Sequence, residues 1–103
     1  MGAYFSSRAA SDLANIVDYI AASSPQNADE FITRIAKALE RITKWPRAPR
    51  VREELPIPGL RIVRTPPCLL IYRVLENDDA EIIRVAHDRQ DFYALLGGEA
   101  TDD

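Results

Sequence analysis

Apolar positions in the first half of the chain recur with the period of a helix, and those in the second half with the period of a strand. Ala9, Leu13, Ile16, Val17 and Ile20 follow i, i+3, i+4, i+7 spacing, while Asp12, Asn15 and Asp18 fall on the opposite side. A helix is therefore expected from about residue 7 to Ala22, with Ser6 or Ser7 as its N-cap, preceded by a short edge strand at Ala3-Tyr4-Phe5. Ser23-Ser24-Pro25 ends this helix and opens a second from about Gln26 to Trp45, because proline is tolerated in a first helical turn. Ala28, Phe31, Ile32, Ile35, Leu39 and Ile42 form its expected stripe, with Arg34, Lys37, Glu40, Arg41 and Lys44 facing water. Pro46 stops it, since the residue before a proline is pushed out of the helical region. A connection of about three residues makes the pair an antiparallel hairpin.

After Pro46 the chain crosses in extended form, punctuated by Pro49, Pro56, Pro58 and Gly59. Leu60–Thr65, Cys68–Leu75 and Ala80–His87 then read as three strands, with Pro66-Pro67 between the first two and a two-residue Asn77-Asp78 turn between the last two. Residues 88–96 close the domain as a strand end or short helix. Gly97-Gly98 introduces an acidic tail, so residues 1–96 form one domain and 97–103 a disordered extension. One buried stripe on the hairpin must lie against the sheet, which gives a two-layer α+β domain with a mainly antiparallel sheet.

The two-residue turn fixes a register in which Glu76 opposes Asp79, Arg73 opposes Ile82, Ile71 opposes Arg84 and Leu69 opposes Ala86. Leu70, Tyr72, Val74, Ile83 and Val85 then share the face toward the helices. Arg73 and Arg84 lie on the other, open face, either as snorkelling surface residues or as a docking surface. Cys68 and His87 meet at the rim.

Composition narrows the function classes. At 103 residues, 47% hydrophobic and 28% charged, the chain supports one globular core and is not a disordered polymer. One cysteine and one histidine allow neither an internal disulfide nor a four-ligand zinc site. No run approaches the roughly 20 apolar residues of a membrane span, and a cytosolic location is expected. Residues 44–64 carry a charge of +4 and the last five residues −3, within a net charge of −3. That is not the profile of a general nucleic-acid binder, whose affinity comes mostly from neutralising phosphates. The basic segment suits a specific acidic partner or a solvated loop equally.

Asp12-Leu13 and Tyr19-Ile20 in the first helix, Trp45-Pro46 at the end of the second, Pro58-Gly59-Leu60-Arg61, Ile71-Tyr72-Arg73-Val74 and the run Ile83-Arg84-Val85-Ala86-His87-Asp88-Arg89-Gln90-Asp91 occur in that order. Over residues 3 to 93 this resembles the RelE/ParE superfamily of toxin–antitoxin toxins, and its ParE branch more than its RelE branch. The RelE branch cleaves messenger RNA on the ribosome, and the resemblance would give that chemistry to Arg61, His87, Arg89 and Tyr93. Two cationic positions of that branch fall here on Val63 and Leu69, which donate no hydrogen bond. Losing even one such donor costs about 10²–10³ in rate.

The ParE branch instead implies a non-catalytic toxin that inhibits DNA gyrase by binding. It also implies neutralisation by a cognate ParD-like antitoxin that folds on the toxin in a hetero-oligomeric complex. No cofactor, metal, membrane or direct specific DNA contact is implied. Candidate target- or antitoxin-binding residues are Arg61, Arg64, Arg73, Arg84, Arg89, Phe92 and Tyr93, the arginine and aromatic types that make interface hot spots. A RelE-like ribonuclease and a non-toxic binding module of the same fold are the alternatives.

Overall fold

The computed structural model describes residues 2–87 and Leu96, in the order β1 (Ala3–Phe5), α1 (Ser7–Ser23), α2 (Pro25–Lys44), β2 (Arg61–Thr65), β3 (Cys68–Val74) and β4 (Ala80–His87). Within the described residues the expected elements form, with ends within a residue or so of those read from the pattern. Ser6 caps α1: its Oγ accepts from the Ala9 N–H at 3.1 Å and donates to the Ile83 carbonyl at 3.1 Å, fixing the helix start to the sheet. The helix connection is tighter than three residues. Ser24 alone closes α1 through its own N–H to the Ile20 carbonyl and caps α2 through its Oγ on the Asn27 N–H. Of the α2 stripe, Ala28, Phe31, Ile35 and Ile42 are buried together with Ala38, whereas Ile32 is 47% exposed. The 3-4-3-4 spacing of the buried set makes a seam too narrow to include Ile32.

The sheet runs β1-β4-β3-β2, with β1 parallel to β4 and the other pairs antiparallel. Two helices on one face give the expected α+β layering. The β3–β4 register differs from expectation at one end only. Leu75 donates to Asp79 O at 2.8 Å and accepts from the Asp78 N–H at 2.9 Å, with Asp78 at φ 69°. The turn thus holds three residues, Glu76 to Asp78, ending in a left-handed position that Asp tolerates. Val74 pairs with Ala80, Arg73 with Glu81 and Tyr72 with Ile82. Ile83 is then an unpaired bulge residue, and the pairing resumes at Ile71 with Arg84, Leu70 with Val85, Leu69 with Ala86 and Cys68 with His87. The longer turn moves the register by one and the bulge restores it. Ile82 and Ile83 consequently exchange faces relative to the sequence expectation.

Ile82 joins Cys68, Leu70, Tyr72, Ala80 and Val85 in the core beneath the helices, with Phe31, Ile35, Ala38 and Ile42 from α2 and Ala9 from α1. Leu13, Ile16, Val17 and Ile20 of α1 pack against it. The other face is not open. Leu60, Ile71 and Ala86 are fully buried there with Leu55, and Ile57, Ile62, Ile83 and Leu96 pack around them. The crossing segment is the cover, its Arg52 N–H held by the Leu60 carbonyl at 2.7 Å, and Gly59 supplies the φ of 81° that turns the chain into β2.

Thr65 is buried at the end of β2 and its Oγ1 has no hydrogen-bond partner. A desolvated, unpaired hydroxyl costs about 1–3 kcal/mol, and valine has the same shape without it. Thr65→Val is expected to raise stability by about 1 kcal/mol, seen as a higher denaturant midpoint with an unchanged slope. An equal or lower midpoint would show that the hydroxyl is satisfied in solution.

Candidate interaction site

Three of the arginines singled out from the sequence, Arg61, Arg73 and Arg84, can be followed to their partners. Arg61, first residue of β2, turns its guanidinium onto the crossing segment, donating to the carbonyls of Pro49 at 2.5 Å and Arg47 at 3.2 Å. Beside it, the Tyr72 hydroxyl donates to the Pro46 carbonyl at 2.6 Å, and burial pushes that phenol above its ordinary pKa, against an opposing pull from Arg61. Together they hold the chain as it leaves α2. Arg47 pairs with Asp78 at 2.8 Å, pinning the same segment to the β3–β4 turn. Arg52 and Arg50 bracket Glu54 at 3.1 and 3.7 Å. Glu54 is held below the usual carboxylate range mainly by a backbone hydrogen bond and then by these two cations. Arg47, Arg50, Arg52 and Arg61 of the +4 segment are therefore engaged within the fold.

Arg73 and Arg84 each have a partner within the fold. Arg73 makes a cross-strand pair with Glu81, its Nη2 and Nε at 2.8 and 3.0 Å from Oε1, and remains half-exposed. Arg84 closes on Asp12 of α1 instead. Its Nε and Nη2 lie 2.8 and 2.9 Å from the two carboxylate oxygens, and Asp12 Oδ2 also accepts from the Val85 N–H at 3.0 Å. The pair sits where β1 has ended and β4 would otherwise be a bare edge, so the carboxylate does the work of a neighbouring strand. The Arg84 side chain is 12% exposed, its guanidinium held protonated mainly by the Asp12 hydrogen bonds. Its placement on an open face is thus corrected.

Arg64 is exposed on β2, the outer strand of the sheet. His87 is half-buried opposite Cys68 and lines a groove of about 490 Å³ with Asn15, Ile16, Tyr19, Ile20 and Pro67. Arg61 belongs to the sheet row of Tyr72 and His87 to the row of Cys68. The four-residue separation along β3 puts these rows about 13 Å apart, with the Arg61 guanidinium engaged elsewhere. Arg89, Phe92 and Tyr93, and the expected strand end or helix over 88–96 with its tail, lie outside the described residues apart from Leu96. Among the described residues no cluster of three His, Cys, Asp or Glu side chains could hold a metal ion. No helix there is long and apolar enough to cross a membrane.

Two surface features were not taken as candidate site residues in the sequence. Tyr19 is 78% and Trp45 64% exposed, each an aromatic at the border of a groove. Arg34, Lys37, Arg41 and Lys44 of α2, unlike the arginines of the sheet and crossing segment, make no ion pair or side-chain hydrogen bond among the described residues. Their spacing of three, four and three residues was the available signal.

Comparison with known proteins places this geometry. In fold, residues covering 84% of the chain superpose on 95% of a chain from the chromosomal ParDE toxin–antitoxin system of P. aeruginosa, with a TM-score of 0.67 and 21% identity. No curated protein matches at a significant level. The family model of the ParE toxin of type II toxin–antitoxin systems matches residues 3–92, which takes in both helices, the crossing segment and all four strands. This chain belongs to the ParE toxin family.

Proposed function

We propose that the protein is a toxin that works by occupying a protein target, DNA gyrase, and that a ParD-like antitoxin neutralises it by folding onto its surface. Membership of a toxin family that operates with antitoxins supplies the partner. The observation that carries the non-catalytic part is the fate of the cations. Scission of RNA needs preorganised donors around the reacting phosphate. Here Arg61 is committed to loop carbonyls, while positions 63 and 69 carry Val and Leu. Among the described residues the surface also carries grooves bordered by the exposed aromatics Tyr19 and Trp45, material of protein recognition.

Expression of the chain without its antitoxin, with a DNA-damage reporter and a translation reporter in the same cells, tests this. The damage reporter should rise while translation continues in the first generation. Early arrest of translation with codon-linked messenger cleavage, lost on His87→Ala, would overturn the reading. So would normal growth with both reporters silent.

A further inference from the structure

The cations of α2 that are unpaired among the described residues have a placement that the helix itself does not require. Arg41 and Lys44 stand in the last turn, where positive charge complements the helix dipole. Arg34 and Lys37 are too far from that end to serve it. At 100° per residue the four fall within an arc of about 80°, and at 1.5 Å per residue they extend over about 15 Å. They lie on the flank of α2 away from Ile32 and Leu39.

At the C-terminal end of this stripe is an apolar socket of about 100 Å³, lined by Ile42, Trp45, Ala48, Pro49, Val63 and Tyr72, with Arg41 at its border. Arg61 and Tyr72 hold its far wall rigid by fixing Pro46 and Pro49. Trp45 leaves 64% of its surface to solvent beside it.

We propose that this stripe and socket form a docking surface for an acidic peptide segment of a partner protein, one that seats a single aliphatic or aromatic side chain in the socket and lays carboxylates along Arg34, Lys37 and Arg41. Charge complementarity selects the occupant. Four cations without partners among the described residues lose little by meeting carboxylates, since none of the ion pairs described there has to be broken. An extended segment of about five residues covers the 15 Å. A nucleic-acid backbone fits less well. Its charges are continuous, and it would run past Glu30 and Glu40, which border the stripe on the same helix. A peptide places its charges selectively and brings the apolar anchor that the socket requires. The proposal concerns this surface only and is independent of the choice of gyrase as target.

Selection of a phage-displayed library of random 12-residue peptides on the intact protein tests it. The enriched sequences should carry two or more Asp or Glu beside one Leu, Ile or Phe. Synthetic versions should shift the emission of Trp45, the only tryptophan of the chain. Their affinity should fall about tenfold or more in an Arg34→Gln/Lys37→Gln/Arg41→Gln variant, and also in Ala48→Leu, which fills the socket without touching charge. The three polar substitutions are on an exposed helix face, and an unchanged circular dichroism spectrum confirms the fold. No enrichment, enrichment indifferent to these variants, or tighter binding of a single-stranded DNA 12-mer than of any selected peptide would each overturn the proposal. So would self-association of the protein through this face, seen as a dimer that the triple variant abolishes.

Discussion

Replacing Asp12 with alanine is expected to remove about 3 kcal/mol of stability, which is a large share of what a domain of this size has. The carboxylate accepts three hydrogen bonds, two from the Arg84 guanidinium and one from the Val85 N–H. Alanine would take from the Arg84 guanidinium, 12% exposed, its two hydrogen bonds to Asp12, and from the Val85 N–H the acceptor it has on α1. Asp12→Asn keeps a carbonyl oxygen for Val85 and loses only the charge, so its cost should be about half. Thermal and urea unfolding of the three proteins decides it. At about 4–8 °C per kcal/mol the alanine variant should melt some 12–24 °C lower. A loss under 1 kcal/mol would mean that Arg84 finds other partners and the pair is dispensable.

The second large effect tests the β4 bulge. Ile82 is fully buried under the helices, whereas Ile83, one residue on, belongs to the smaller cluster on the other face and is only partly buried. Ile82→Ala should cost about 3–4 kcal/mol, the transfer of the side chain plus the cavity left in a close-packed core. Ile83→Ala should cost about 1 kcal/mol, because water reaches the space it vacates. A strand without the bulge would reverse this order, since the two side chains would exchange faces. Equal costs, or a larger cost at Ile83, would refute the pairing of Tyr72 with Ile82.

These two results also mark where the sequence was readable. Helix boundaries were plain because capping is local: Ser6, Ser24-Pro25 and Pro46 act on backbone groups within four residues. The turn was ambiguous because Asn77 and Asp78 each tolerate a left-handed conformation, so two- and three-residue loops fit the same letters. The bulge was invisible because Ile82 and Ile83 are both apolar, and either satisfies a buried position. The partner of Arg84 lies 72 residues away on α1. No spacing rule connects a helix-surface aspartate to a strand arginine until the fold sets them side by side.

The cover over the second sheet face had a signal that was not used. Leu55, Ile57 and Leu60 in the crossing segment are apolar residues that a solvated loop would not need. Of the candidate site, the residue types were legible and their availability was not. An arginine reads the same whether it meets a partner protein or, like Arg61, a carbonyl of its own chain.

Occupancy of gyrase without cutting RNA is the claim on which the functional account turns, and supercoiling of relaxed plasmid by purified gyrase tests it most directly. Adding the purified chain should inhibit supercoiling in a near-stoichiometric way and accumulate cleaved plasmid, while messenger RNA on translating ribosomes stays intact at the same concentrations. Undiminished supercoiling at a molar excess, together with codon-linked transcript cleavage that disappears in His87→Ala, would contradict it.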